Sequence, residues 1–125
     1  KISALISHSN FADSRIFQEV ALKKNTPYLV SAFVKTENVG LENKGAYLCI
    51  MEIKEVVESF EIKGDSEWQK LQFIVVNKST EENNFRIAAR LGGYGSMNTG
   101  KMWISLFGVT ETKVRDKEIP TYYVK

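Results

Sequence analysis

The sequence predicts an all-β protein, an antiparallel β-sandwich of two packed sheets. Three observations predict it. Apolar and polar residues alternate with a period of two over most of the chain. Turn-forming residues interrupt that alternation at intervals of roughly ten residues, the spacing of a sandwich. In the stretch from Phe85 to Thr112, FRIAARLGGYGSMNTGKMWISLFGVTET, five of the chain's eight glycines fall between Gly92 and Gly108. Glycine takes backbone angles that other residues resist, so this stretch reads as a sharply shaped connection between two strands.

The elements follow in order. Residues 2–7 form the first candidate strand. In 15–22, Ile16, Gln18, Val20 and Leu22 alternate against Phe17, Glu19 and Ala21. Lys23 to Pro27 breaks the pattern as a polar turn ending in proline. Residues 28–36, YLVSAFVKT, are rich in β-branched and aromatic types and make a clear strand. A loop over 37–44 leads to 46–53, AYLCIMEI, almost continuously apolar and expected to be covered on both faces or to line a groove. Residues 56–62 are a shorter strand. The overlapping stretch 51–59 has helical potential, but a short isolated helix is marginal and Val56-Val57 are poor helix formers, so strand, turn, strand is preferred. Gly64-Asp65-Ser66 reads as a turn, 68–76 as a strand and 77–84 as a polar loop. Strands at 85–91 and 102–110 complete a set of eight. Residues 113–125, with Pro120 and Tyr122-Tyr123, read as an edge strand or the start of a connector.

The 125 residues suit one domain, 1–125. A chain of this length buries roughly two-thirds of its unfolded surface, enough for a core without staples. Apolar residues make up 43% and charged residues 26%, and the formal net charge is +2. Seventeen basic residues are scattered among fifteen acidic ones, with no run of four basic residues. Charge therefore points to no nucleic-acid partner and to no membrane surface. No stretch approaches ~20 apolar residues, so no bilayer span is expected. The abrupt start at Lys1-Ile2-Ser3 suggests a piece of a larger multidomain protein. Cys49 is the single cysteine and sits in an apolar run, which suits a buried packing residue and excludes an internal disulfide.

Four stretches, in order, resemble the broad group of carbohydrate-binding modules that includes families four, nine and twenty-two. Gln18-Glu19-Val20 followed by Asn25 to Thr36 is similar to that group's "Q-x-V … Y-x-x-S-x-[FYW]-V-K-T" stretch. Gly45 to Leu48 looks like its next strand. Gly64 to Leu71 is similar to its "G-x-S-x-W-Q-x-L" element, and Leu91-Gly92-Gly93 through Gly100 to Ile104 to its "L-G-G … G-x-x-W" ending. The resemblance covers Arg15 to Glu111. It implies a jelly roll of the galactose-binding-like type, binding glycan on the concave sheet or at loops along one edge. It also implies that many members hold a structural calcium. Here Ser105-Leu106 replaces the aspartate pair after the final tryptophan, which removes a hard-oxygen ligand and argues against the metal. The group's opening "N-G-x-F-E" strand is absent.

Sugar recognition needs flat apolar faces rimmed by polar groups. In 28–36 the more apolar set Tyr28, Val30, Ala32 and Val34 should face the core, leaving Ser31, Phe33 and Lys35 outside. In 46–53 the inward set is Ala46, Leu48 and Ile50, leaving Tyr47, Cys49 and Met51. In 85–91 the inward set is Phe85, Ile87, Ala89 and Leu91, leaving Arg86 and Arg90. If these strands are neighbours, Phe33, Lys35, Tyr47, Arg86 and Arg90 form one aromatic and cationic surface. Alternatively the rings are covered by a loop or another domain, and the arginines are solvated residues paired with Glu52 or Glu82. Tyr94 is a further ligand-binding candidate, either projecting from its glycine loop or folding back to plug the core. Trp68 and Trp103 are expected in the core.

Catalytic readings fail. His8, the only histidine, lies in a polar N-terminal segment with no orienting partner. Glu81-Glu82 look like solvated turn residues. No Cys/His metal spacing and no phosphate-binding glycine loop before a helix are present. Asn77-Lys78-Ser79 matches a glycosylation acceptor triplet. The sequence thus predicts a non-catalytic carbohydrate-binding module without cofactor or metal, in an extracellular or cell-surface protein, with bacteria the expected source. Its partners would be a glycan and the other domains of the parent chain. The alternative is a structural or protein-interaction sandwich in a bacterial surface or phage-tail protein.

Overall fold

Residues 3–113 and 116–125 are described in a computed structural model of the chain. Lys1, Ile2, Val114 and Arg115 lie outside the described residues, including the first position of the strand expected at 2–7 and two positions of the tail expected as strand or connector. Eight strands form: β1 (Ser3–Ala12), β2 (Ser14–Ala21), β3 (Pro27–Val39), β4 (Ala46–Met51), β5 (Gly64–Asn77), β6 (Asn84–Leu91), β7 (Asn98–Glu111) and β8 (Thr121–Val124). Among the described residues there is no helix.

The strands form two sheets, one of five strands in the order β1-β7-β3-β5-β8 and one of three in the order β2-β6-β4. All pairings are antiparallel except β5 with β8, which is parallel. The expected antiparallel sandwich forms, with one parallel pair added at a sheet edge. β7 and β5 run the same way on either side of β3, so the chain must cross past β3 and β5 to add β8 alongside. On this crossing Ile119, Pro120 and Tyr123 share a cavity of about 950 Å³ with Ile74 and Val76, which are buried.

The period-two sets pack as the alternation requires. Val30, Val34, Leu48, Ile87, Leu91, Phe73, Val75 and Met102 are fully enclosed between the sheets. Burying such a side chain contributes about 1.5–3 kcal/mol each, so this layer is the main source of stability. The inward sets expected for β3, β4 and β6 are all buried.

Two local expectations are corrected. Residues 56–62 are not a strand but run beside β4 through isolated bridges, with Ser59 N–H donating to Leu48 O and Ile62 N–H to Ala46 O. Their buried positions are Val57, Ser59 and Ile62, a spacing of two and then three, so the strand period slips at Phe60-Glu61. Gly64-Asp65-Ser66 is no turn but the opening of β5. Its partner β3 runs on to Val39, which pairs with Gly64, so the chain joins the sheet there although Gly64 itself keeps a left-handed φ of +71°.

Candidate functional site

Alternation on β3 fixes which side chains reach the outer face of the five-stranded sheet. Val30, Ala32 and Val34 point inward, so Ser31, Phe33 and Lys35 point outward. Register then sets their neighbours. Phe33 lies opposite Ser105 on β7 and Lys70 on β5, and Lys35 lies opposite Trp103, which in turn faces Leu5 on β1. Trp68 falls in the register irregularity of β5 next to Gln69, beside Lys35. Phe33 is 36% exposed, Trp68 43% and Leu5 50%. The Lys35 Nζ stands 5.7 Å from the Trp103 ring centre. The result is a mixed surface of Leu5, Trp103, Phe33 and Trp68 with Lys35 and Lys70 set among the rings.

Trp68 and Trp103 were expected in the core and are not. On β7 the inward positions belong to Met102 and Ile104, and on β5 to Leu71, Phe73 and Val75. The tryptophans fall on the opposite parity. The alternation M-W-I in 102–104 carried that signal, and the general preference of tryptophan for burial masked it.

Tyr47, Arg86 and Arg90 do not share this surface. β4 and β6 belong to the three-stranded sheet, so these residues sit on the far side of the sandwich from Phe33 and Lys35. Tyr47 is 3% exposed, and its hydroxyl donates to Gly92 O at 3.0 Å. Lys44 Nζ covers its ring at 4.7 Å and is itself held by Glu58 and Glu61. Burial holds the Tyr47 phenol well above its ordinary range. Cys49, Ala88 and Tyr47 form a small second apolar cluster on this face, and burial pushes the Cys49 thiol up to about 11. Such a thiol is no nucleophile at neutral pH.

The two arginines are held by carboxylates. Arg90 donates from Nε and one terminal nitrogen to both Asp13 oxygens at 2.8 and 2.5 Å. That hydrogen bonding holds the Asp13 carboxyl below its ordinary range. Arg86 donates to Glu52 at 2.8 Å, as expected for that pair, and stacks over Phe17 at 5.1 Å.

Tyr94 projects. It tops the tight turn closed by reciprocal bonds between Gly93 and Ser96, and it is 98% exposed. Phe11 near the end of β1, and Leu41 and Met97 in the connections, are exposed at the same end. The buried Asn98 amide ties that end together, donating to Gly40 O and Lys44 O and accepting from Gly40 N–H.

The remaining chemistry-bearing residues are structural. His8 is not a free surface residue: it is half-buried on β1, and its Nδ1 lies 3.0 Å from Asn98 O. Asn77 is fully buried, with its amide donating to Leu22 O and Glu82 O, so the folded protein offers no glycosylation acceptor there. Among the described residues no three His, Cys, Asp or Glu side chains gather as a metal cage. At the position where the resemblance implies calcium, Ser105 and the exposed Leu106 supply no carboxylate, so the residues present do not fit that ion.

Fold and surface together define a class, the jelly-roll β-sandwich with one aromatic-rich sheet face. A solved structure described as "CBM4 structure and function" superposes with a TM-score of 0.65 over 88% of this chain and 71% of that one, at 14% identity. The chain therefore has the fold of a carbohydrate-binding module. No family model matches the sequence, and no curated protein matches it.

Proposed function

We propose that the domain is a non-catalytic carbohydrate-binding module whose ligand lies across the outer face of the five-stranded sheet. One observation carries this reading: Phe33, Trp68 and Leu5 are exposed there, on adjoining register positions around Trp103. Rings held on a rigid sheet offer flat apolar platforms at little entropic cost, and pyranose rings present matching C–H faces. Ser31 and Gln72, paired across β3 and β5, add hydroxyl and amide groups at the rim. No bond is made or broken. The domain would tether a bacterial extracellular or cell-surface protein to its glycan. Affinity per site is modest, and several modules in one parent would raise it by avidity. Of the residues the sequence singled out, Phe33 and Lys35 belong to this site, and Tyr47, Arg86 and Arg90 serve the fold.

A second reading has its own support. The Tyr94 ring is almost wholly in solvent at the loop end, where a short glycan end could stack. Binding of the isolated domain to a panel of soluble polysaccharides separates the readings. Phe33→Ala and Trp68→Ala should each weaken binding about tenfold, equal to about 1.4 kcal/mol, with the fold intact by circular dichroism. Unchanged binding in both, with loss in Tyr94→Ala, transfers the site to the loops. Absence of binding to every glycan supports the structural-spacer alternative.

A further inference from the structure

Resting on the sheet-face reading above, we infer that the ligand of this face is an acidic polysaccharide, one whose sugar rings carry carboxylates. Several cations of the sandwich are answered by a carboxylate, and among the described residues the two lysines beside the exposed rings of the five-stranded face are not. On the three-stranded side Arg90 answers Asp13, Arg86 answers Glu52 and Lys44 answers Glu58. On the five-stranded side Lys35 and Lys70 enter no ion pair among the described residues, although each stands beside an aromatic ring. Glu37 further along the face is already engaged by Lys101 at 3.7 Å. Glu67, in the irregular stretch of β5, is exposed and likewise in no ion pair among the described residues.

Position makes these two lysines different from the other solvated ones. Phe33 has Lys70 directly across the strand gap and Lys35 two positions along its own strand, so a lysine position lies on each of two sides of it. Across the sheet the order Trp103, Lys35, Trp68 places a cation between two rings. With strands about 4.8 Å apart, the two tryptophans stand about 10 Å apart, far enough for stacked sugars to leave a ring substituent between them. A neutral glycan offers the ammonium groups only hydroxyl and ether acceptors, whereas a carboxylate at the ring edge adds a charge-assisted hydrogen bond that better compensates their lost water. Lys35 now rests over Trp103, a cation–π contact of modest strength that a carboxylate can replace.

The test compares one polymer with and without its charge. Binding of the intact domain to polygalacturonate and to alginate is measured beside the methyl-esterified form of each, with a neutral β-glucan and xylan as further probes. The expected result is at least tenfold tighter binding to one acidic polymer than to its ester, weakening as salt rises. Lys35→Gln and Lys70→Gln should remove that preference, while Lys54→Gln, in the exposed bend after β4, should keep it. Equal affinity for acid and ester overturns the inference, as does equal loss in all three lysine variants. So does binding confined to anionic lipid vesicles. If the neutral glycans bind and Phe33→Ala abolishes that binding, the sheet-face reading stands and only the acidic ligand falls. If no glycan binds, both fall.

Discussion

Asn98 holds one end of the sandwich through a single amide. Its Oδ1 takes the N–H groups of Gly40 and Thr99 at 2.8 and 2.7 Å, and its Nδ2 reaches Gly40 O and Lys44 O at 2.9 Å each. Asn98→Ala leaves these groups buried without partners and should cost about 2–4 kcal/mol, read as a fall in the urea midpoint at unchanged slope. Asp13 gives a pH signature. Hydrogen bonding from Arg90 depresses its folded pKa below the ordinary 3.8. A depressed acid contributes stability that is fully present above the unfolded pKa and is lost as pH falls through the folded value. Denaturation midpoints of the native protein should therefore drop on acidification below about pH 4, and Asp13→Asn should be less stable at neutrality with a shallower acid limb. Equal acid slopes in the two proteins would refute that role for the pair.

At the scale of strands, the β3–β7 pairing depends on one backbone approach. Gly100 has φ +105°, and a Cβ there would stand 2.6 Å from Asn38 O, in backbone that cannot swing aside. Asn38 itself has φ +55°. Gly100→Ala should cost about 2 kcal/mol or more and loosen the neighbouring amides, measurable by hydrogen exchange along β7. Strands were the legible part of this sequence. Alternation placed β2, β3, β6 and the inward sets because a period of two is local and each face meets one solvent. It failed at 56–62, where a single extra residue slips the period, and at Gly64 to Ser66, where pairing with the distant Val39 makes a glycine of left-handed φ the first residue of a strand. β8 is an edge strand in the tail that reads as edge strand or connector, but its parallel partner lies 47 positions upstream, from Ile74 to Thr121, and nothing local specifies that pairing.

Across the whole molecule, the candidate site was legible only by halves. Facing direction follows from alternation, but the sheet to which a strand belongs is set by distant pairings. Phe33 and Tyr47 both point away from the core layer, and topology sends them to opposite outer surfaces. One is left open and the other is roofed by Lys44, a contact no spacing in the sequence announces. The sandwich should open as a unit. Cys49 is 5% exposed in the middle of β4, with its thiol raised to about 11. A thiol reagent at neutral pH should label it only as fast as the whole chain unfolds, and labelling well ahead of that rate would show β4 opening alone.

Asn77 has a practical consequence of its own. Both hydrogens of its amide are committed inside the closed sandwich, at 3.0 Å to Leu22 O and 3.0 Å to Glu82 O. Yeast or mammalian secretion exposes Asn-Lys-Ser to the transferase while the nascent chain is still extended. Modification then consumes one of those hydrogens and hangs a bulky branch where there is no room, so recombinant material from such hosts should emerge misfolded unless Ser79 or Asn77 is changed beforehand.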